Sequence, residues 1–215
     1  MNTYRVSAMP SLCDSTNFGL TDVANNKSMR IKLEKDNPAV VEVMSSGAVL
    51  QKTGTDRGYY FVVEPQENLL VYVMQYKKLQ KNLTGIPTAV QTAVWRALGE
   101  PLADGLVRSV YFNHLLPKYG AIMSDRIQTS RGRDLWIDLI RRSLKGTSLY
   151  VCLVDFLQQH FLHIESTFEF RIWEDDIGGY WSWNSMRHQG IRFLISTKPI
   201  PKAIRMTDAI ADKQK

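Results

Sequence analysis

Two adjoining groups of residues have the types and spacing to do chemistry. Ser124-Asp125 is followed closely by Gln128-Thr129-Ser130-Arg131-Gly132-Arg133. Asp125 is a carboxylate that can take a proton from an amine or hold that amine in place, with the Ser124 hydroxyl beside it. The other reading of Asp125 is a turn cap, because Asp side chains bond readily to nearby backbone. The second group supplies side-chain donors, two positive charges and a glycine, where backbone can approach a ligand closely. A helix starting here would concentrate about half a positive charge at its free N–H groups, a setting for phosphate or pyrophosphate. An ordinary capped helix with solvated arginines uses the same residue types.

The elements that must position these residues are legible around them. Leu135 and Leu139 are four apart, as are Trp136, Ile140 and Leu144, which makes one apolar helical stripe. Arg133, Asp138, Arg141, Arg142 and Lys145 fall mostly on the other side. Thr129 or Ser130 suits the N-cap, and Gly146 is placed to end the helix. The continuous apolar run from Leu149 to Val154 predicts a strand buried on both faces. Residues 119–125 read as a short strand or an insert; as a strand before the helix they complete a βαβ unit. Open sheets of this kind hold ligands at the carboxyl ends of their strands, which is where Ser124 and Asp125 would lie.

The run Ser130-Arg131-Gly132-Arg133-Asp134-Leu135-Trp136, with Leu139-Ile140 after it, resembles the acetyl-CoA loop and helix of the GCN5-related N-acetyltransferase superfamily. That loop has the form Gln/Arg-x-x-Gly-x-Gly/Ala and opens a helix. Asp134 and Trp136 stand where the family usually has small residues. The resemblance implies an α/β (or α+β) fold with a mixed, mostly antiparallel central sheet flanked by helices over residues 38–196. Residues 1–37 are then an N-terminal extension and 197–215 a tail. It implies acetyl-CoA as cofactor, its diphosphate on the Gln128–Arg133 loop, and an amine as acceptor. The chain is also similar to acetyltransferase-like proteins of bacteriophages. That likeness implies the host cytoplasm and admits a second reading, a non-catalytic protein that binds a host or virion protein or nucleic acid.

Composition narrows the field. With 44% apolar and 22% charged residues, the chain is an ordinary globular one rather than a disordered tract. No apolar run approaches the ~20 residues that span a bilayer. The net charge of +6 suits an anionic partner but is spread out, with no run of five basic residues. Cys13 and Cys152 fit no zinc pattern, and Cys152 falls in the apolar run, where cysteine acts as a small hydrophobe.

The rest of the chain predicts strands at 39–44, 58–64 and 69–76, the last two joined as a hairpin through Pro65–Asn68. Met29–Leu33 alternates weakly, as a strand would. Val90, Val94 and Leu98 repeat every four residues, so a helix is expected from Pro87 to Leu98, with Arg96 on its solvated face or on a ligand. Residues 106–116 read as a strand carrying His114, either a general base or a structural histidine. Residues 155–164 read as a helix on which His160 and His163 share a face without a third metal ligand. A terminal hairpin is expected from strands at 167–173 and 190–196. Between them Tyr180, Trp181 and Trp183 form a packing wedge or a recognition surface.

Overall fold

A computed structural model of the chain describes residues 20–79, 89–97, 105–124, 130–145, 148–155, 160–176, 191–200 and 203–205. Ten strands form one mixed sheet: β1 Ala39–Val43, β2 Val49–Gly54, β3 Arg57–Glu64, β4 Leu69–Lys78, β5 Val90–Arg96, β6 Ala121–Met123, β7 Tyr150–Asp155, β8 His160–Ile164, β9 Ile191–Ser196 and β10 Ile204–Arg205. Their order is β1-β2-β3-β4-β5-β6-β9-β7-β8-β10. Only β5–β6 and β8–β10 are parallel; all other neighbours are antiparallel. The fold class is therefore mixed α+β with a mostly antiparallel sheet.

The helices are α1 Val23–Lys35, α4 Ser130–Leu144, α5 Thr167–Asp176 and a composite stretch, 106–119. That stretch runs through α2 Leu106–Ser109, a π segment Val110–Leu115 and α3 Leu116–Tyr119. Its buried residues include Val110, Tyr111, Leu115 and Leu116, so pairs five apart share the inner face, as the wider π turn requires.

On the face carrying the 106–119 stretch and α4, one apolar core runs unbroken from Leu50 on β2 to Leu153 on β7. The opposite face has two separate clusters. Leu33 of α1 packs there with Phe61, Val73 and Trp95, while Ile200 covers Met123, Cys152 and Leu194. Asn26 anchors α1: its amide nitrogen donates to Leu20 O and Leu70 O, and its amide oxygen accepts from Leu70 N at 2.7 Å. These bonds fall where the β3–β4 register shifts, at Val63 and Leu70.

The strands at 39–44, 58–64, 69–76, 149–154 and 190–196, the short strand after Tyr119 and the helix from Ser130 all form close to where the residues placed them. Five expectations are corrected. Val90–Arg96 is a strand, because a four-residue repeat fits period 2 as well as period 3.6, and β4 offers a partner along all seven residues. Residues 106–119 are helical, and burying Leu106, Val107, Val110 and Tyr111 together needs a helix. Met29–Leu33 lies in α1, which the Asp22 carboxylate caps by accepting from Asn25 N at 2.9 Å.

The fourth correction is α5 in place of a strand at 167–173. Ser166 Oγ accepts from Glu169 N, and the Glu169 carboxylate accepts from Glu165 N. The Ser-x-x-Glu spacing that signals such a start was present in the sequence. Fifth, His160–Ile164 is a strand against β7, so His160 and His163 belong to opposite strand faces. β2 was not anticipated at all.

Candidate functional site

The sheet is interrupted where β6 ends. β5 and β6 pair only through Val90–Ile122 and Gln91–Met123. Beyond that point β5 continues to Arg96, and among the described residues no strand lies along this edge. Across the interruption, β9 extends past Leu194 to Ile191 while pairing with β7 on its far side. Two strands thus run on while, among the described residues, the short strand between them stops and leaves the ladder open.

Ser124 shows how β6 stops. Its N–H donates to Phe193 O at 2.9 Å, and its hydroxyl oxygen accepts from Phe193 N at 3.0 Å. A side-chain oxygen so replaces the carbonyl that a continuing strand would offer, which ends the regular pairing at Met123. The buried Ser124 lies at the carboxyl end of β6, where the sequence set it. Asp125, Gln128 and Thr129 lie outside the described residues. Ser130, Arg131, Gly132 and Arg133 form the first turn of α4, described in backbone only. β6, α4 and β7 make the expected βαβ unit, with β9 inserted between its two strands.

Two hydroxyl groups meet beside the end of β6, and sequence reasoning missed them. Thr92 is the first β5 residue beyond the β6 pairing. Its Oγ1 lies 2.6 Å from the Tyr111 hydroxyl and 3.5 Å from Met123 O. With Thr92 donating to the carbonyl, Tyr111 is the donor in the shorter bond. The Tyr111 ring is backed by Trp136, with centroids 5.7 Å apart. Trp136 is only 3% exposed, so the indole belongs to the core. Tyr72, whose backbone pairs with Arg96 at the far end of β5 from Thr92, carries a further hydroxyl in the same helix-covered core. It is buried, with no hydrogen-bond partner among the described residues. Burial, then the neighbouring Tyr111 and Tyr60, hold it far above the usual phenol range. Tyr72 is thus a neutral donor and no base. The signal available in sequence was Thr92 and Tyr111 on two separate segments, which only the tertiary fold brings together.

The remaining candidates sit elsewhere. Nε2 of His114 lies 3.0 Å from a Glu42 oxygen that also accepts from Ser109, joining β1 to the π segment. Those hydrogen bonds, His114 first, hold Glu42 below the usual carboxylate range. His163 faces Tyr150 and Glu165. Among the described residues no three His, Cys, Asp or Glu side chains gather as metal ligands. Burial pushes the Cys152 thiol up to about 12, leaving it an inert core residue. The aromatic segment Tyr180–Trp183 and Cys13 lie outside the described residues. Among the described residues no helix is long and apolar enough to cross a membrane.

Comparison with known proteins found no matching family model, no matching curated protein and no matching solved structure.

Proposed function

We propose that the chain is an acyl-CoA-dependent N-acyltransferase whose site is the gap beyond Met123. The observation that carries this reading is the Tyr72 hydroxyl, buried in the helix-covered core with no hydrogen-bond partner among the described residues. A buried hydroxyl without a partner costs about 1–3 kcal/mol, a cost relieved when a ligand brings an acceptor. An acyl carbonyl is such an acceptor, and neutral phenols suit it because they donate without needing to be deprotonated. The bound thioester supplies the activated acyl carbon. Tyr72 would donate to the acyl oxygen, and Trp136 would keep Tyr111 in place against Thr92. The amides of the first turn of α4, with Gln128 and Thr129 before it, would hold the diphosphate. As the amine nitrogen bonds to the acyl carbon, the C–S bond would break and CoA would leave as its thiolate, while Asp125 would take the proton that the amine loses, with Ser124 beside it.

The test is the melting temperature with acetyl-CoA added. A ligand at a hundred times its Kd adds about 2.7 kcal/mol of stability. The Gly132→Glu variant, verified as folded by circular dichroism, should lose that gain, because a carboxylate replaces the close approach to a diphosphate. If millimolar acetyl-CoA leaves the wild-type melting curve unchanged, the acyltransferase reading falls. The non-catalytic reading, a protein that binds a host or virion protein or nucleic acid, then takes its place.

A further inference from the structure

A second cluster adjoins Thr92, whose cross-strand partner on β4 is Tyr76, where the β2–β3 hairpin meets α3. Three tyrosine rings form a continuous floor there. The Tyr60 and Tyr76 centroids are 5.4 Å apart, and those of Tyr76 and Tyr119 are 6.0 Å apart. The floor is fixed in place. The Tyr76 hydroxyl bonds to the carbonyls of Thr53 and Gly54, and the Tyr119 hydroxyl donates to Thr55 O at 2.6 Å. Gly58 is obligatory beneath it, because an added Cβ would lie 2.0 Å from Thr53 O and 2.9 Å from the Tyr76 hydroxyl.

Two lysines stand on this floor. Nζ of Lys52 is 5.7 Å from the Tyr60 centroid and 5.3 Å from that of Tyr76, while Nζ of Lys118 is 5.2 Å from the Tyr119 centroid. Neither lysine has a carboxylate within ion-pair distance among the described residues. The nearby acids are engaged: Asp56 lies 3.6 Å from Lys78, and Glu42 bonds to His114 and Ser109. Two ammonium groups on one tyrosine floor repel each other, and ring faces offset this only in part.

We propose that Lys52 and Lys118 form an anion site that takes a phosphate group, free or esterified, between their two ammonium groups. A dianion there replaces repulsion with two charge-assisted hydrogen bonds. Without it, Lys52 yields its proton easily. Burial first, and Lys118 second, lower it to about 8, while Lys118 is raised by its bond to Lys52. The titratable and charged groups facing the pair are Tyr60, Tyr76, Tyr119, Asp56 and, beyond Tyr60, the His114–Glu42 pair.

The experiment is a titration of the full chain with inorganic phosphate at constant ionic strength, read from the lysine side-chain carbon signals by NMR. Lys52 and Lys118 should move together and saturate, and the Lys52 titration midpoint should rise above about 8 as phosphate binds. Lys118→Met, which keeps the apolar stem, should weaken the effect at Lys52 by about tenfold, the loss of one charge-assisted bond. Lys52→Met should do the same at Lys118. An unchanged Lys52 midpoint overturns the proposal. So does an equal, unsaturating drift at the helix α1 residues Lys32 and Lys35, which would mean an adventitious ion only.

Discussion

The two halves of the sheet are built on different principles. From β1 to β5 each strand pairs with the next in sequence, and β3–β4 and β4–β5 are registered over eight and seven residue pairs. From β6 onward the order is shuffled to β6-β9-β7-β8-β10, and the strands are short and largely aliphatic. The halves share only two residue pairs of ladder, at Val90–Ile122 and Gln91–Met123. What unites them is the helix-covered face, where one core crosses the join; on the opposite face the core is divided. The lesson is that a sheet held together by side-chain packing above it can leave its own ladder open. The proposed acyl-CoA site lies at that opening.

Substitutions at the join, in each half and at the two proposed sites separate these roles. The largest effect is expected for Trp136→Ala, which removes the indole linking α4 to Tyr111. It should cost about 3–5 kcal/mol. Because the lost packing spans the two halves, hydrogen exchange should then show β7 and β9 opening before β3 and β4. Simultaneous opening would mean that the ladder itself couples the halves. Next, Asn26→Leu keeps the side-chain size but leaves the N–H and C=O of Leu70 without the amide that bonds both. About 3 kcal/mol of destabilisation is expected in denaturant, with the m-value unchanged.

Tyr72→Phe should act in the opposite direction. Removing a buried hydroxyl that has no partner among the described residues should stabilise the free protein by about 1–2 kcal/mol, and acetyl-CoA should then add less stability than it adds to wild type. A destabilised Tyr72→Phe would show that the hydroxyl is already satisfied in the free protein. The smallest effect is at Lys52. Its lowered value, about 8 against an ordinary 10.5, means the folded protein binds fewer protons than the unfolded chain between those limits. Stability is therefore reduced below pH 8 and recovers as pH rises toward 10.5, while Lys118, raised, contributes in the opposite sense at higher pH. Lys52→Met should melt above wild type at pH 7, with the difference shrinking by pH 10. A difference that does not depend on pH would place the effect in packing rather than charge.

The sequence by itself determined the parts whose residues answer to one period only. The alternating run at β4, the continuously apolar β7 and the striped helix α4 allow no second assignment, because turning one side chain to water would expose its neighbours as well. It also set Ser124 at the carboxyl end of β6. It did not determine β5 or the 106–119 stretch, whose spacings suit a strand and a helix alike, so the partner settled them. β4 provided an open edge for Val90–Arg96, and the adjoining core took the wide inner face of the π segment. The hydroxyl cluster and the lysine pair were tertiary decisions too. Thr92 reaches Tyr111, and Lys52 meets Lys118, across separations that no local spacing encodes. Those meetings exist because burying the tyrosine-rich face of β3 and β4 draws the 106–119 stretch down upon it.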